Sequence, residues 1–335
     1  MNQNIGTFRL SELKISAWNI NSIWKNINSF RYNKLENPGL INFVCKKQIF
    51  GLIETHHTAN QADKLQIDGF KCFSLCRPKD KNKKRYKPSG GIAVYVRDSI
   101  VPGVEKISLS GSECIILRLR KDFVGLINDI FVCFAYCTPA NSSVLNSDYM
   151  PADIYEDLTN KLAQCLPKGD LILLGDMNAR SQTLPDYIVN DDNVHIPVGV
   201  PPPDLYEADM EIRNRFNMDT GTNSYGAKFL TLCKSLPLRI LNGRFLGDLL
   251  GNYTCITPRG ASAVDYAAVS PILLKQIRYF LVSDPCLHLS DHTPIELCLS
   301  VRTSYQFSNN NCNVDVLPKP DKNPGTEVQI YTSVT

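Results

Sequence analysis

The chain has 335 residues, 43% of them hydrophobic and 21% charged, and 36 Lys and Arg stand against 33 Asp and Glu for a formal net charge of +3. These proportions exclude a low-hydrophobicity disordered polymer and a fibrous repeat, and no apolar run approaches the roughly 20 residues of a membrane-spanning helix. Layered folds built on large sheets often exceed about 200 residues as one unit, so a single large domain is expected.

The opening residues Met1 to Thr7 lack the basic region and apolar stretch of a secretion signal, which implies an intracellular protein. The twelve cysteines are diluted through a long chain, and none has the Cys-x-x-Cys spacing of a zinc ribbon. Cys72/Cys76 and Cys133/Cys137 are four apart, which on a strand means one face, so free and mostly buried thiols are expected.

In chain order, strand-like runs cover Leu13 to Ile20, Ile49 to Glu54, Phe70 to Cys76, Gly91 to Val96, Glu113 to Leu119, Ile130 to Tyr136 and Asp170 to Gly175. They continue with Leu238 to Asn242, Tyr253 to Ile256, Val264 to Val269, Tyr279 to Val282 and Pro294 to Val301. Helical periodicity is clearest over Met150 to Leu166, where Ile154, Leu158, Leu162 and Leu166 recur and Pro167-Lys168-Gly169 ends the element. Shorter helices are predicted over Gly39 to Lys47, Tyr225 to Lys234 and Pro271 to Ile277. Many strands with a few helices among them point to two packed sheets with helices outside. Arg180 to Thr222, with Pro197, Pro201, Pro202 and Pro203, reads as a long surface excursion, and the apolar pattern stops beyond Arg302.

Four strand ends carry polar groups. Leu171 to Leu174 closes on Gly175-Asp176-Met177-Asn178, Ile49 to Ile53 stops at Glu54, Leu13 to Ala17 leads into Trp18-Asn19, and Leu287-His288-Leu289 precedes Ser290-Asp291-His292. A carboxylate at the end of a buried strand is costly unless paired, protonated or bound to metal, so these endings suggest one shared cation site. His56 and His57 follow Glu54, but neighbouring strand residues face opposite ways, and joint ligation is not expected. Arg77, Lys79, Lys81, Lys83, Lys84, Arg85 and Lys87 crowd one segment with only Asp80 against them. That segment is either a solvated hairpin tip or a phosphate contact.

Taken in order, Trp18-Asn19, Glu54, Tyr136, Asp176-Met177-Asn178, Asp265 and Ser290-Asp291-His292 resemble the endonuclease/exonuclease/phosphatase superfamily over about residues 13 to 301. Gly90-Gly91-Ile92-Ala93-Val94-Tyr95, Leu238 to Arg244 and Val264-Asp265-Tyr266 bring the resemblance closest to apurinic-like endonuclease domains of non-LTR retrotransposons. The resemblance implies a DNase I-like four-layer α/β sandwich, two mixed β-sheets face to face with helices outside. It sets that domain at 13–302, between an N-terminal extension at 1–12 and a flexible tail or linker at 303–335.

The implied activity is metal-dependent phosphodiester hydrolysis, nicking DNA to leave 3′-hydroxyl and 5′-phosphate ends. Glu54 and Asp291 would bind Mg2+, with Mn2+ as a substitute, and Asn19 would support the metal and its water. Asp176 would orient or deprotonate the attacking water, with Asn178 holding that water or a phosphate oxygen. His292 would donate to the scissile phosphate while Asp265 fixes its tautomer, and the Tyr136 hydroxyl would bind phosphate. Thr254, Asn141 and Ser290 would contact substrate, Asn141 lying one position later than the family places its Asn after Pro139.

DNA is the implied partner of a monomer without membrane contact, and the nucleus the implied location. A reverse transcriptase domain would follow in a longer natural product. The same fold also hosts abasic-site repair nucleases and other phosphoesterases, and a catalytically inactive nucleic-acid-binding remnant is the reading from another class.

Overall fold

The computed structural model describes residues 5–27, 30–79, 88–109, 113–188, 213–308, 315–318 and 328–333. From the N-terminus, β1 (Ile5–Asn19) is followed by a hairpin of β2 (Trp24–Ile27) and β3 (Phe30–Asn33), the short helix α1 (Pro38–Val44), and strands β4 (Ile49–Ile53), β5 (Phe70–Leu75) and β6 (Ile92–Arg97). A second series runs β7 (Val104–Ile107), β8 (Cys114–Leu119), one turn of α2 (Lys121–Val124), β9 (Asp129–Tyr136), α3 (Ile154–Ala163), β10 (Gly169–Asp176), α4 (Ser224–Ser235) and β11 (Arg239–Ile240). The hairpin β12 (Cys255–Thr257) and β13 (Gly260–Ser262) precedes β14 (Asp265–Val269), and β15 (Ile277–Val282), β16 (Ile295–Ser308), β17 (Asp315–Pro318) and β18 (Val328–Ser333) complete the strands.

Two large mixed sheets result. One has the order β17-β18-β16-β1-β4-β6-β5 with β15 also on β16, and the other β11-β14-β10-β9-β8-β7. Both faces of each central strand are buried, which is why these strands read as unbroken apolar runs. In β4, Ile49 and Ile53 enter the core between the sheets, while Phe50 and Leu52 pack on the opposite face with Leu40 and Val44 of α1. In β10, Ile172 and Leu174 face the same central core, while Leu171 and Leu173 meet Ile154, Leu158 and Leu162 of α3 and Phe229 of α4. The four layers are therefore helix, sheet, sheet and helix, the DNase I-like α/β arrangement that the sequence implies.

Several elements depart from their expected bounds. Asp153 caps α3, its Oδ1 accepting from the Tyr155 and Glu156 amides at 2.9 and 3.3 Å, so the helix starts at Ile154 and Met150 lies before it. Pro271 to Gln276 forms a 3₁₀ turn in place of a regular helix. The β2/β3 hairpin is made of two four-residue strands, Trp24–Ile27 and Phe30–Asn33, too short to stand out as apolar runs, and the Arg31 guanidinium sits 4.4 Å over the Trp24 ring. The β1/β16 ladder runs from Ile5↔Ser308 to Ala17↔Ile295 and so crosses both boundaries expected at 13 and 302. The ends of the excursion after Arg180 are tied together. Arg215 Nη2 donates to Ser181 Oγ at 3.3 Å and to the Gln182 and Leu184 carbonyls at 3.1 Å, while residues 189–212 lie outside the described residues. The cysteines among the described residues are free, and no helix among them is long and apolar enough to cross a membrane.

The sheets approach most tightly where Gly51 of β4 meets Phe134 of β9. A Cβ built on Gly51 would lie 2.2 Å from the Phe134 ring, which is itself fully buried. Gly51→Ala is expected to destabilise the fold by about 1–3 kcal/mol through overpacking, and Phe134→Leu in the same chain to recover part of that loss. Urea unfolding of the single and double variants checks this; additive losses would remove the contact from the explanation.

Candidate active site

Strand register assembles the site. In the second sheet Asp176 pairs with Tyr136 on one side and with Asp265 on the other, so three polar residues stand in a row across adjacent strand ends. In the first sheet Asn19 pairs with Ile53, which brings it beside Glu54. The sheets face each other, and the two sets meet across the gap. Asn19 Nδ2 donates to Glu54 Oε2 at 2.9 Å and to Asp176 Oδ2 at 2.8 Å.

Glu54 has φ of +55°, a conformation that costs a non-glycine residue of order 1 kcal/mol. Backbone pairing holds it there. The Ser22 amide donates to the Glu54 carbonyl at 2.7 Å, and the Thr55 and His56 amides donate to the Gly91 and Gly90 carbonyls at 3.1 and 2.8 Å. Gly90 and Gly91 themselves have φ of +62° and +87°, and a Cβ on Gly91 would lie 2.7 Å from Thr55 Oγ1. The Gly90-Gly91 pair thus fixes the turn that presents the Glu54 carboxylate.

The carboxylates differ in charge state. Burial acts to raise the Glu54 pKa, but hydrogen bonds from His56, Tyr136 and Asn19 outweigh it and hold the group at about 2. The Tyr136 hydroxyl donates to Glu54 Oε1 at 2.5 Å. Asp176 is pushed the other way, to about 7, by burial and then by the charges of Asp265 and Glu54, with His292 opposing them. Asp265 Oδ2 lies 2.8 Å from His292 Nδ1. Burial disfavours the imidazolium, yet Asp265 raises the His292 pKa well above the usual histidine value. At neutral pH the site holds an anionic Glu54, a His292 whose imidazolium is favoured by its contact with Asp265, and an Asp176 whose charge is disfavoured.

The remaining predicted residues have diverse placements. Both hydrogens of the Asn19 amide go to carboxylates and its Oδ1 accepts from the Asn21 amide at 2.9 Å, so it bridges Glu54 and Asp176 and presents no outward ligand atom. Asn178, at φ +47°, donates from Nδ2 to the Cys137 carbonyl at 2.9 Å and to Asp176 Oδ2 at 3.3 Å. What it can offer an incoming molecule is its side-chain carbonyl, an acceptor suited to water and not to a phosphate oxygen. Thr254 is fully buried and its Oγ1 accepts from the Val264 and Asp265 amides at 3.0 and 2.9 Å, which anchors Asp265 and leaves no surface for substrate. Ser290, also buried, donates to the Asn19 carbonyl at 2.7 Å and accepts from the His292 amide at 3.1 Å. It too positions its neighbours. Asp291 is half-exposed with Oδ1 accepting from Asn21 Nδ2 at 3.0 Å, and Asn141 lies exposed on the turn after Pro139. His57 turns away to Thr55 Oγ1 at 2.7 Å, while His56 Nε2 faces Glu54 at 3.4 Å.

Arg77 corrects one expectation. It is 4% exposed and paired with Glu113 at 2.7 and 2.6 Å, so it cannot open a basic docking segment. Its guanidinium also donates to Thr138 and sits 5.3 Å over the Tyr136 ring, supporting that tyrosine from behind. Lys79 is exposed, and Lys81, Lys83, Lys84, Arg85 and Lys87 lie outside the described residues. Two further positioning groups escaped the sequence reading. Trp18 Nε1 donates to the His292 carbonyl at 2.8 Å, and Asn242 Nδ2 donates to the Asp265 carbonyl at 3.1 Å. A Trp beside Asn19 and an Asn in the Leu-Asn-Gly-Arg run are visible in the sequence, but their partners are not.

Two groups of ligand-type side chains come within 4.8 Å of one another among the described residues: Asp176, Asp265 and His292, and Cys255, Asp291 and His292. Ionised Glu54, whose side chain is 20% exposed, and half-exposed Asp291 are oxygen donors of the kind a hard divalent cation takes.

Comparison with known proteins gives the family and the fold. The Endonuclease/Exonuclease/phosphatase family model matches residues 16–292, and the chain belongs to that family. Among solved structures it is similar to the AP endonuclease LMAP from Leishmania major, with a TM-score of 0.59 at 14% identity over 87% of this chain and 88% of that one. It is similar to the endonuclease domain of TRAS1, a telomere-specific non-LTR retrotransposon, with a TM-score of 0.54 at 16% identity over 87% of this chain and 99% of that one. It is also similar to the 3′-5′ exonuclease NExo from Neisseria meningitidis, with a TM-score of 0.53 at 16% identity over 86% of this chain and the whole of that one. No curated protein sequence matches the chain. Family and neighbours together support a nuclease or phosphoesterase.

The Asp176 shift has a consequence for stability. A carboxyl group raised from 3.8 to about 7 on folding is stabilising only while protonated, so its contribution is complete below about pH 4 and is lost as pH rises through 7. In metal-free buffer at pH 7.5, Asp176→Asn is expected to be more stable than the wild type by on the order of 1 kcal/mol. The two should converge near pH 4. Urea denaturation at both pH values measures this, and a variant less stable at pH 7.5 would contradict the assignment.

Proposed function

We propose that this protein is a divalent-metal-dependent DNA endonuclease of the non-LTR retrotransposon type, which nicks one strand and leaves 3′-hydroxyl and 5′-phosphate ends. The observation that carries the reading is the His292–Asp265 pair set beside Asp176, with Asn19 linking Asp176 to ionised Glu54. Phosphodiester hydrolysis needs a nucleophilic water, a proton acceptor near its working pH and donors for charge developing on phosphorus oxygens, and this set supplies each.

Asp176 accepts the proton of the attacking water, as a carboxylate with a pKa near 7 is suited to do, while the Asn178 carbonyl orients that water. His292, with Nδ1 on Asp265, donates from Nε2 to a non-bridging phosphate oxygen. Glu54 and Asp291 would hold Mg2+, with Mn2+ as a substitute; bound there, the cation supplies Lewis-acid polarisation of the phosphate. The hairpin of β12 and β13 extends from this cleft with Pro258, Arg259 and Gly260 exposed at its tip, where Arg259 would meet the DNA backbone. Similarity to the TRAS1 endonuclease domain and the Leu238 to Arg244 and Gly90 to Tyr95 motifs favour the retrotransposon branch. A nuclear location and a reverse transcriptase domain in a longer product belong to the same reading.

Supercoiled plasmid with Mg2+ tests it. The wild type should convert supercoiled to open-circular DNA, and Glu54→Ala, Asp176→Asn and His292→Ala should each lower the rate by about 100-fold or more. The wild-type rate should rise with pH through about 7 as Asp176 ionises. Equal nicking by all four proteins would overturn the site, and cleavage confined to an abasic duplex would replace this reading with a repair nuclease.

A further inference from the structure

Cys255 occupies an unusual position for a thiol. It forms an antiparallel bridge with His292, flanked by the Ile256 amide donating to the Asp291 carbonyl at 2.7 Å and the Thr293 amide donating to the Thr254 carbonyl at 2.7 Å. Residues directly opposed across antiparallel strands project to one side, so the thiol and the imidazole share a face. A bend at Asp291 brings its carboxylate to the same place, and the sulfur, one carboxylate oxygen and a ring nitrogen lie within 4.8 Å of one another. Cys255 and Asp291 are each half-exposed, which leaves an approach from solvent.

We propose that Cys255, Asp291 and His292 form a regulatory site for a thiophilic divalent cation such as Zn2+, distinct in its donor set from the oxygen-ligated site on Glu54. The chemistry of the donors selects the ion. Mg2+ takes oxygen ligands and rejects thiolate, whereas Zn2+ combines one sulfur, one imidazole and one carboxylate readily and completes four-coordination with water. Zinc ligands at roughly 2.0 to 2.3 Å from the metal stand about 3.3–3.7 Å apart in a tetrahedron, so the three side chains, within 4.8 Å of one another, need to close by about 1.5 Å at most. The second shell is in place as well. Asp265 holds His292 Nδ1 at 2.8 Å, which leaves Nε2 as the ligand nitrogen in a carboxylate–histidine–metal arrangement.

Binding there displaces the Cys255 thiol proton and the His292 Nε2 proton to solvent, and so removes two groups from nuclease work at once. His292 loses the donor aimed at phosphate, and Asp291 leaves the Mg2+ site, so Zn2+ inhibits even with Mg2+ in excess. The inhibitory consequence rests on the proposed nuclease activity, while occupancy of the site does not.

Co2+ serves as a spectroscopic stand-in for Zn2+ in the full chain, with Cys45→Ser and Cys286→Ser in the background to silence two other accessible thiols. A saturable thiolate-to-cobalt charge-transfer band at one ion per chain, displaced by Zn2+, is expected. Cys255→Ser in the same background should abolish the band and weaken Zn2+ binding at least about tenfold, as followed by competition with a chromogenic chelator. A band that persists in Cys255→Ser, or none in the Cys255-containing background, overturns the site. In plasmid nicking with Mg2+, each protein scaled to its own zinc-free rate, micromolar Zn2+ should inhibit the Cys255 chain and spare Cys255→Ser by about tenfold in half-inhibitory concentration. Equal inhibition overturns the regulatory role. Absence of nicking in all proteins would count against the nuclease reading alone, since the cobalt band still decides the site.

Discussion

The hydrogen bonds that Asn19 sends to Glu54 and Asp176 are the interaction on which the rest of the site depends. The two carboxylates arrive on different sheets, each at the end of a strand buried on both faces, and nothing in either strand alone would keep them at a fixed separation. Asn19 can reach both because β1 runs parallel to β4 with Asn19 opposite Ile53, and because the sheets pack closely enough that a single Cβ on Gly51 would strike Phe134. Sheet packing and site geometry are therefore one constraint. The Asn19 amide is itself held by the Asn21 N–H on Oδ1 and by Ser290 on its backbone carbonyl, so its orientation is determined from three sides.

That geometry divides the acidic groups by environment. Glu54 receives donors from Tyr136, Asn19 and His56 and remains ionised, whereas Asp176, at 2% exposure and beside Asp265, has its charge disfavoured. Two carboxylates on facing sheets thus acquire different charge states from burial and hydrogen bonding, in the opposite order to their intrinsic acidities. His292 supplies a positive charge among these carboxylates. Its positive charge is favoured by Asp265 through direct contact and opposes the rise in the Asp176 pKa, so removal of any one group shifts the others.

Much of this was legible in the sequence because it depends on strands. The apolar runs ending at Asn19, Glu54, Tyr136 and Asp176 set the period and the register, and a carboxylate after such a run has few alternatives to a shared polar site. Thr254 and Ser290 were legible as members of the site but not in their role. Whether a hydroxyl points at substrate or at a backbone amide depends on the chain trace between distant segments, and both turned inward to hold Asp265 and His292. Helix ends were misplaced for a local reason, since the Asp153 cap competes with the apolar period that extends back to Met150. Cys255 gave no signal at all. Its meaning lies in a bridge to a residue 37 positions away that no spacing rule encodes.

Arg77 shows how a residue's surroundings can reverse its reading. In the sequence it heads a run of basic residues, and electrostatics alone would send it to a phosphate backbone. In the fold it is buried, clamped by Glu113 and Thr138 and placed over the Tyr136 ring. Gly90 permits this approach, because a Cβ there would lie 2.4 Å from the guanidinium carbon. The same glycine accepts the His56 amide and so helps hold the strained turn at Glu54. One small residue thus serves both ends of the Tyr136–Glu54 hydrogen bond. The tyrosine is braced from behind by an arginine that only glycine admits, and the carboxylate is presented by a turn that the same glycine closes. A side chain at position 90 would loosen both partners together, which makes the Gly90-Gly91 pair part of the architecture of the candidate site although neither residue carries a functional group.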